Sequence, residues 1–245
     1  MKTPRKIKDD TLIDPQKGED FCLFYPFEKA FKEYIVPKIS PYTTTYYLTY
    51  LTLLWAALII LSGYLANSNS LWLLLISLSI MLQYITDMLD GVVGRFKDTG
   101  LVKWGYYADH FFDFIFIVSI FIGYHLFLDG FQNYNPIYLF ILAAIIVGFM
   151  ISSYLYTGVS KKVTISFLRI GPSEGRVLLT IFNIILIFNK NILVFILPYS
   201  IIISLTALAI VFYFSQKKLW KVDMQLKEEL KSRKFNKRNI EHLWK

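Results

Sequence analysis

Residues 45–66 read TYYLTYLTLLWAALIILSGYLA, an unbroken run that contains no acidic or basic residue. A helix needs about 20 consecutive apolar residues to cross the hydrocarbon core of a bilayer. A run of this length and composition is typical of a transmembrane helix rather than of a helix in a soluble core. The stretch therefore predicts an integral membrane protein.

Further apolar runs follow along the chain. They cover residues 71–88, 104–128, 136–156, 173–189 and 192–215. Hydrophobic residues make up 55% of the 245 residues and charged residues only 18%, which excludes a disordered chain, a disulfide-stapled secreted module and an ordinary soluble enzyme. We predict an all-α integral membrane protein with six transmembrane helices, of which the run at 173–189 is the shortest.

Basic residues are concentrated in the two terminal segments and in every second loop between these runs. Eight Lys and Arg residues lie in 1–42, three in 94–104, four in 157–176 and ten after Ser215, whereas the opposite loops hold only Lys190. Short cytoplasmic loops carry the excess of Lys and Arg in membrane proteins. Six helices with both termini in the cytoplasm satisfy this rule. Because orientation accounts for the net charge of +8, we expect no nucleic-acid partner.

The chain divides into a cytoplasmic N-terminal segment (1–42), a transmembrane domain (43–215) and a basic cytoplasmic C-terminal tail (216–245). No basic start with a short apolar run and a cleavage site is present, so we expect no secretory signal peptide. Apolar residues recur at helical spacing in both flanks, which predicts interfacial amphipathic helices that contact membrane lipid. These residues are Phe27, Phe31, Tyr34 and Ile35 in the first flank, and Leu219, Val222, Leu226 and Leu230 in the second.

Four aspartates flank the loop between the second and third runs. Asp87 and Asp90 are three residues apart, and Asp109 and Asp113 are four apart, so each pair lies on one face of its helix. An antiparallel return of the chain would bring the two faces together just inside the membrane. Ionised carboxylates are costly there unless cations neutralise them. Oxygen ligands without His or Cys favour a hard cation such as Mg²⁺, and two divalent ions would balance the four charges.

Two residues beside the aspartates suit a phosphate-containing substrate. Gly91 leaves room for a substrate to approach the backbone, and Arg95 offers a planar positive fork to a phosphate or carboxylate. Such a site suits metal-assisted phosphoryl transfer from a nucleotide diphosphate. A cation-coupled transporter that uses the same aspartates is the alternative from another class. A transport path would scatter acids toward the bilayer midplane, whereas these four lie at the cytoplasmic ends of two helices.

The aspartate stretch resembles the signature of the CDP-alcohol phosphotransferase family, D-x2-D-G-x2-A-R, eight or nine residues, then G-x3-D-x3-D. The matching positions are Asp87, Asp90, Gly91, Arg95, Gly105, Asp109 and Asp113. The chain departs from the pattern at Gly94, where the family usually has alanine. The six-span topology resembles the family over most of the chain.

The resemblance implies a multi-pass enzyme of the cell membrane whose active site faces the cytoplasm. Such an enzyme transfers a phosphoalcohol from a CDP-linked donor, for example CDP-diacylglycerol, to an acceptor hydroxyl and releases CMP in phospholipid biosynthesis. By similarity, Asp87, Asp90 and Asp109 would bind Mg²⁺ or Mn²⁺. Asp113 would act as the general base and also as a metal ligand. We expect a homodimer.

The resemblance also assigns substrate roles. Gly91 and Arg95 would line the CDP site, and Gly105 would allow close packing or substrate approach at the start of the third transmembrane helix. The Asp109–His110 pair is similar to one in choline- and ethanolamine-phosphotransferases, which leaves transfer from a CDP-amino alcohol to diacylglycerol as an alternative.

A second element, GPSEGR at residues 171–176, is similar to one found in some family members. Glu174 and Arg176 would then hold the acceptor. Equally, Pro172 and Ser173 would simply begin a helix with Glu174 in its first turn. The sequence leaves both interpretations open.

Overall fold

The computed structural model describes residues 24–99, 101–160 and 172–243, without the side chains of residues 102, 172 and 232–243. Within these ranges the regular structure is entirely helical, and the predicted all-α class is confirmed. The helices are α1 (Tyr25–Ile39), α2 (Thr45–Ser68), α3 (Leu73–Phe96, after a 3₁₀ turn at Ser70–Trp72), α4 (Val102–Leu128), α5 (Pro136–Ser160), α6 (Pro172–Phe188) and α7 (Asn191–Leu243). The first part of the predicted N-terminal segment and Gly171 lie outside the described residues.

Among the residues that the structure describes, five helices are long and apolar enough to cross a membrane. These candidate spans are Thr45–Ser68, Ser70–Phe96, Lys103–Leu128, Pro136–Ser160 and Asn191–Lys231. Helix α6 has 17 residues. At about 1.5 Å per residue it is roughly 25 Å long, somewhat short of a hydrocarbon core of about 30 Å. The chain is therefore an integral membrane protein with five candidate spans, and a sixth crossing stays a prediction.

Asparagine side chains accept hydrogen bonds in the turns between α2 and α3, between α4 and α5, and between α6 and α7. Asn69 Oδ1 accepts a hydrogen bond from the N–H of Leu71 at 3.0 Å. The N–H groups two residues beyond Asn135 and Asn189 donate to those side chains at 3.1 and 3.0 Å. Asn is favoured in such turns because its side chain mimics a backbone turn. The helices on either side can therefore be joined by short connections.

A close backbone contact fixes the crossing of α2 and α4. Gly63 of α2 faces Gly123 of α4, and a Cβ added at Gly63 would overlap the Gly123 backbone. Small residues let helix backbones touch in membrane proteins. Helix α2 also packs on α3, α3 packs on α6, and α5 packs on α7. Helices α3 and α4, which carry the aspartates, are thus both held against α2.

Helix α1 packs beside the start of this bundle. Its Val36 is buried in a small cluster with Leu48, Leu89 and Val93. Of the apolar residues predicted to face lipid, Phe27, Phe31 and Tyr34 are exposed, whereas Ile35 packs against that cluster. A helix therefore occupies the predicted region, and its position at the membrane interface stays a prediction.

At the other end of the chain, α7 runs without a break from Asn191 to Leu243. No interruption of the helix marks the predicted boundary between residues 215 and 216. The apolar side chains of Val222, Leu226 and Leu230 are exposed along it.

Candidate active site

Three of the four predicted aspartates converge. Asp87 lies nine residues before the end of α3, and Asp109 and Asp113 lie in the third and fourth turns of α4. One carboxylate oxygen from each residue lies within 4.8 Å of the others. The four-residue spacing on α4 offsets Asp109 and Asp113 by only about 40° around the helix, so both can face Asp87.

Asp90 is turned toward α2 instead. Its side chain is buried, with 7% of the residue exposed, and its Oδ2 accepts a hydrogen bond from Thr49 Oγ1 at 2.9 Å. Three residues of α-helix leave an offset of about 60° from Asp87, enough for Asp90 to face α2. Asp90 still interacts electrostatically with Asp109 and Asp87. Its role as a metal ligand stays a prediction.

Arg176 of α6 lies against the converging carboxylates. Its Nη2 donates to Asp87 Oδ2 at 2.9 Å and lies 3.7 Å from Asp113 Oδ1. Its guanidinium carbon lies 5.6 Å from the centre of the Tyr84 ring. Glu174, by contrast, is buried and accepts a hydrogen bond from the N–H of Phe24 at 3.3 Å. Of the two predicted acceptor residues, the structure brings Arg176 to the aspartates.

The two glycines assigned to substrate contact have different surroundings. The position of a Cβ at Gly91 is 3.5 Å from Arg95 Nη1, so the exposed Arg95 side chain lies over this glycine. A Cβ at Gly105 would meet no atom within 4 Å. The described residues thus leave open space at Gly105 instead of packing on it. Binding of CDP by all three residues stays a prediction.

Gly94, where the chain departs from the family pattern, lies against the side chain of Thr45. A Cβ at Gly94 would lie 2.5 Å from Thr45 Oγ1. That hydroxyl donates to the main-chain oxygen of Asp90 at 2.9 Å. The Thr45 side chain therefore occupies the space that the alanine methyl group would need.

Two polar residues at the site were not predicted from the sequence. Gln83 is fully buried on α3 and donates through Nε2 to Asp113 Oδ1 at 3.3 Å. Glu28 of α1 accepts hydrogen bonds from Tyr84 Oη at 2.5 Å and Ser173 Oγ at 2.6 Å. The sequence offered a signal for the first, because Gln83 is an amide inside an apolar run and lies one helical turn before Asp87. It offered none for Glu28, which resembles an ordinary residue on a polar helix face.

His110 contacts Asp109, but its ring faces α5. Its Nδ1 is 3.2 Å from Asp109 Oδ2, and its ring stacks on Tyr154 of α5 with centroids 4.3 Å apart. The ring is therefore held between α4 and α5, next to Asp109.

The arrangement fits a divalent cation. Asp87, Asp109 and Asp113 offer carboxylate oxygens within reach of one ion, and Asp90 adds a further carboxyl group nearby. Within the described part of the chain, the guanidinium of Arg176 contacts these carboxylates, and it would balance only part of the charge that they carry when ionised. Hard divalent ions prefer oxygen ligands, and intramembrane acids need neutralisation. A metal ion of the Mg²⁺ type would accept these oxygen ligands and neutralise their charge.

A sequence model of the CDP-alcohol phosphatidyltransferase family matches residues 42–214. The match covers more than half of the chain and includes all four aspartates. No curated protein and no solved structure gives a significant match. Since the family comprises membrane transferases and the chain carries spanning helices with a cluster of carboxylates, sequence and geometry agree. The chain belongs to the CDP-alcohol phosphatidyltransferase family.

Proposed function

We propose that the protein is a metal-dependent membrane transferase of phospholipid biosynthesis. It moves a phosphatidyl-type group from a CDP-linked donor, such as CDP-diacylglycerol, to an acceptor hydroxyl and releases CMP. The observation that carries the proposal is the convergence of Asp87, Asp109 and Asp113 beside Arg176, in a chain of this family.

The aspartates would hold the metal. Asp87, Asp109, Asp113 and Asp90, when ionised, together match the charge of two Mg²⁺ or Mn²⁺ ions. The first three offer oxygens that all lie within 4.8 Å of one another, which supports shared coordination. A metal ion bound by these carboxylates would polarise the donor phosphates and stabilise the charge that develops on the leaving group.

The reaction is a displacement at the donor phosphorus that carries the alcohol. The acceptor oxygen forms a bond to that phosphorus, and the bond from the phosphorus to the oxygen of CMP breaks. Asp113 accepts the proton from the acceptor hydroxyl. Arg176, which lies 3.7 Å from Asp113, would bind an anionic oxygen of the substrate and hold it near the base. Gly91, Arg95 and Gly105 would receive the CDP portion.

The proposal includes the membrane topology. Helix α6 would be the fifth of six crossings, with both termini and the aspartate end of α3 and α4 in the cytoplasm. The distribution of Lys and Arg supports this orientation. The exposed Phe27 and Tyr34 support a position of α1 along the headgroups, and the tail from residue 216 would extend into the cytoplasm.

A CDP-diacylglycerol donor with a small alcohol acceptor is our first assignment. Transfer of the phospho-amino alcohol from a CDP-amino alcohol to diacylglycerol, with release of CMP, is the alternative. It is suggested by the Asp109–His110 sequence pair, whose side chains lie 3.2 Å apart. Membership of a transferase family argues against the cation-coupled transporter. A homodimer is part of the proposal, and a monomer mass in gentle detergent would contradict it.

The experiment is CMP release by the purified protein in lipid nanodiscs. CDP-diacylglycerol and CDP-ethanolamine are supplied separately with Mg²⁺ and a panel of acceptors, and the lipid product is identified by mass spectrometry. We expect one donor class to yield CMP and a matching lipid. If no CDP donor yields CMP with any divalent ion while reconstituted vesicles show ion-coupled flux, the protein is a transporter.

A further inference from the structure

Gln83 joins the two helices that carry the aspartates. It lies on α3, one helical turn before Asp87, and none of its surface is exposed. Its Nε2 donates a hydrogen bond to Asp113 Oδ1 on α4 at 3.3 Å. The amide is therefore directed at the carboxylate to which the proposed function gives the proton-accepting role.

The other half of the amide is unsatisfied. Gln83 Oε1 is buried and has no hydrogen-bond partner within the described part of the chain. A buried acceptor without a donor is destabilising, and an apolar side chain of similar size would avoid that cost. The hydrogen bond to Asp113 explains why Oε1 is left without a partner. Rotation of the amide by 180° would place Oε1 against the Asp113 carboxylate oxygen, where two acceptors would face each other.

A second buried amide shows what a purely structural role looks like in this bundle. Asn183 of α6 is also fully buried. Its Oδ1 accepts from Tyr124 Oη at 2.5 Å, and its Nδ2 donates to Ser77 Oγ at 3.1 Å. Both amide atoms of Asn183 are thus paired, whereas Gln83 is paired only toward Asp113.

We propose that Gln83 is a positioning residue for Asp113. Its N–H holds Oδ1 and so fixes the rotation of the carboxylate, which leaves Oδ2 to face the acceptor hydroxyl. The inference rests on the proposed function, in which Asp113 is the base. Asp113 is also one of the proposed metal ligands, and loss of the hydrogen-bond partners that orient metal ligands typically costs about 10–100-fold in metal affinity or activity.

The test compares Gln83→Met and Gln83→Leu with Asn183→Leu as the matched control. For each variant we measure kcat and donor KM for CMP release, and the melting temperature of the metal-free protein, which needs no substrate. We expect the Gln83 variants to lose about 10–100-fold in kcat, with donor KM nearly unchanged and the melting temperature equal or higher. Asn183→Leu should lower the melting temperature and leave kcat of the folded enzyme nearly unchanged.

A double-mutant cycle separates positioning from an independent effect. In an Asp113→Asn background, Gln83→Met should cause little further loss of kcat, because residues that act as a unit are not additive. Multiplicative losses, an unchanged kcat in the Gln83 variants, or a fall in melting temperature that parallels activity would overturn the inference. Those results leave the proposed function intact, whereas full turnover by Asp113→Asn would overturn the base assignment and the inference together.

Discussion

Gly94→Ala restores the residue that the family usually has, yet we expect it to give this protein little or no gain in stability. The new Cβ would lie 2.5 Å from Thr45 Oγ1, which is roughly 0.9 Å closer than ordinary contact. Thr45 must then rotate away from the main-chain oxygen of Asp90, which it reaches at 2.9 Å. Loss of such a hydrogen bond costs about 1 kcal/mol.

The gain from the same substitution is of similar size. Alanine is favoured over glycine inside a helix by about 1 kcal/mol. The two effects therefore nearly cancel in the wild-type background. In a Thr45→Ala background the obstruction is absent, and Gly94→Ala should stabilise by the full amount of about 1 kcal/mol, or roughly 2–4 °C in melting temperature.

The assay is thermal unfolding of the four proteins of this cycle in the same detergent, with Thr45→Ser as the control that keeps the hydroxyl. We expect Gly94→Ala to raise the melting temperature in the Thr45→Ala background only. An equal rise in the wild-type, Thr45→Ser and Thr45→Ala backgrounds would refute the reasoning that Thr45 occupies the space of the missing methyl group.

Three further substitutions test other parts of the structure. Asp113→Asn keeps the size and polarity of the side chain but removes proton acceptance, so kcat for CMP release should fall about 10²–10⁴-fold; substantial residual turnover would mean that the base lies elsewhere. Gly63→Ala forces a methyl group into the backbone of α4 and should destabilise by about 1–3 kcal/mol or more in detergent unfolding. Gly158→Ala, whose Cβ would meet no neighbour, is the control, and equal melting temperatures would contradict the close contact. Glu28→Ala leaves the Tyr84 hydroxyl without its acceptor, and hydrogen exchange in α1 should accelerate, whereas unchanged exchange would show that α1 is held in another way.

Features that depend on local helical periodicity could be predicted from the sequence. Of the six spans predicted from the apolar runs, five coincide with described helices that meet the length and composition of a membrane span. The four-residue spacing of Asp109 and Asp113 correctly placed both carboxylates on one side of α4, where Asp87 meets them. These predictions succeed because they need only the rise and turn of one helix.

Features that depend on which helices touch could not be predicted in the same way. The three-residue spacing allowed Asp90 to face either Asp87 or another helix, and its partner Thr49 lies 41 positions earlier in the chain. The role of Glu28 depends on Ser173, which is 145 positions away. A single sequence carries no information on contacts between helices, so it could not show that Arg176 of α6 lies against Asp87 of α3.

The central claim is that the converging carboxylates hold a divalent metal that is required for release of CMP. The most direct measurement is the initial rate of CMP release from the active CDP donor during Mg²⁺ titration of metal-stripped protein, for wild type and Asp87→Asn. We expect no release without metal, saturable recovery by wild type, and loss of activity or a strongly raised Mg²⁺ requirement in Asp87→Asn. Equal rates in metal-stripped and Mg²⁺-loaded wild type, or a wild-type titration curve from Asp87→Asn, would contradict the account.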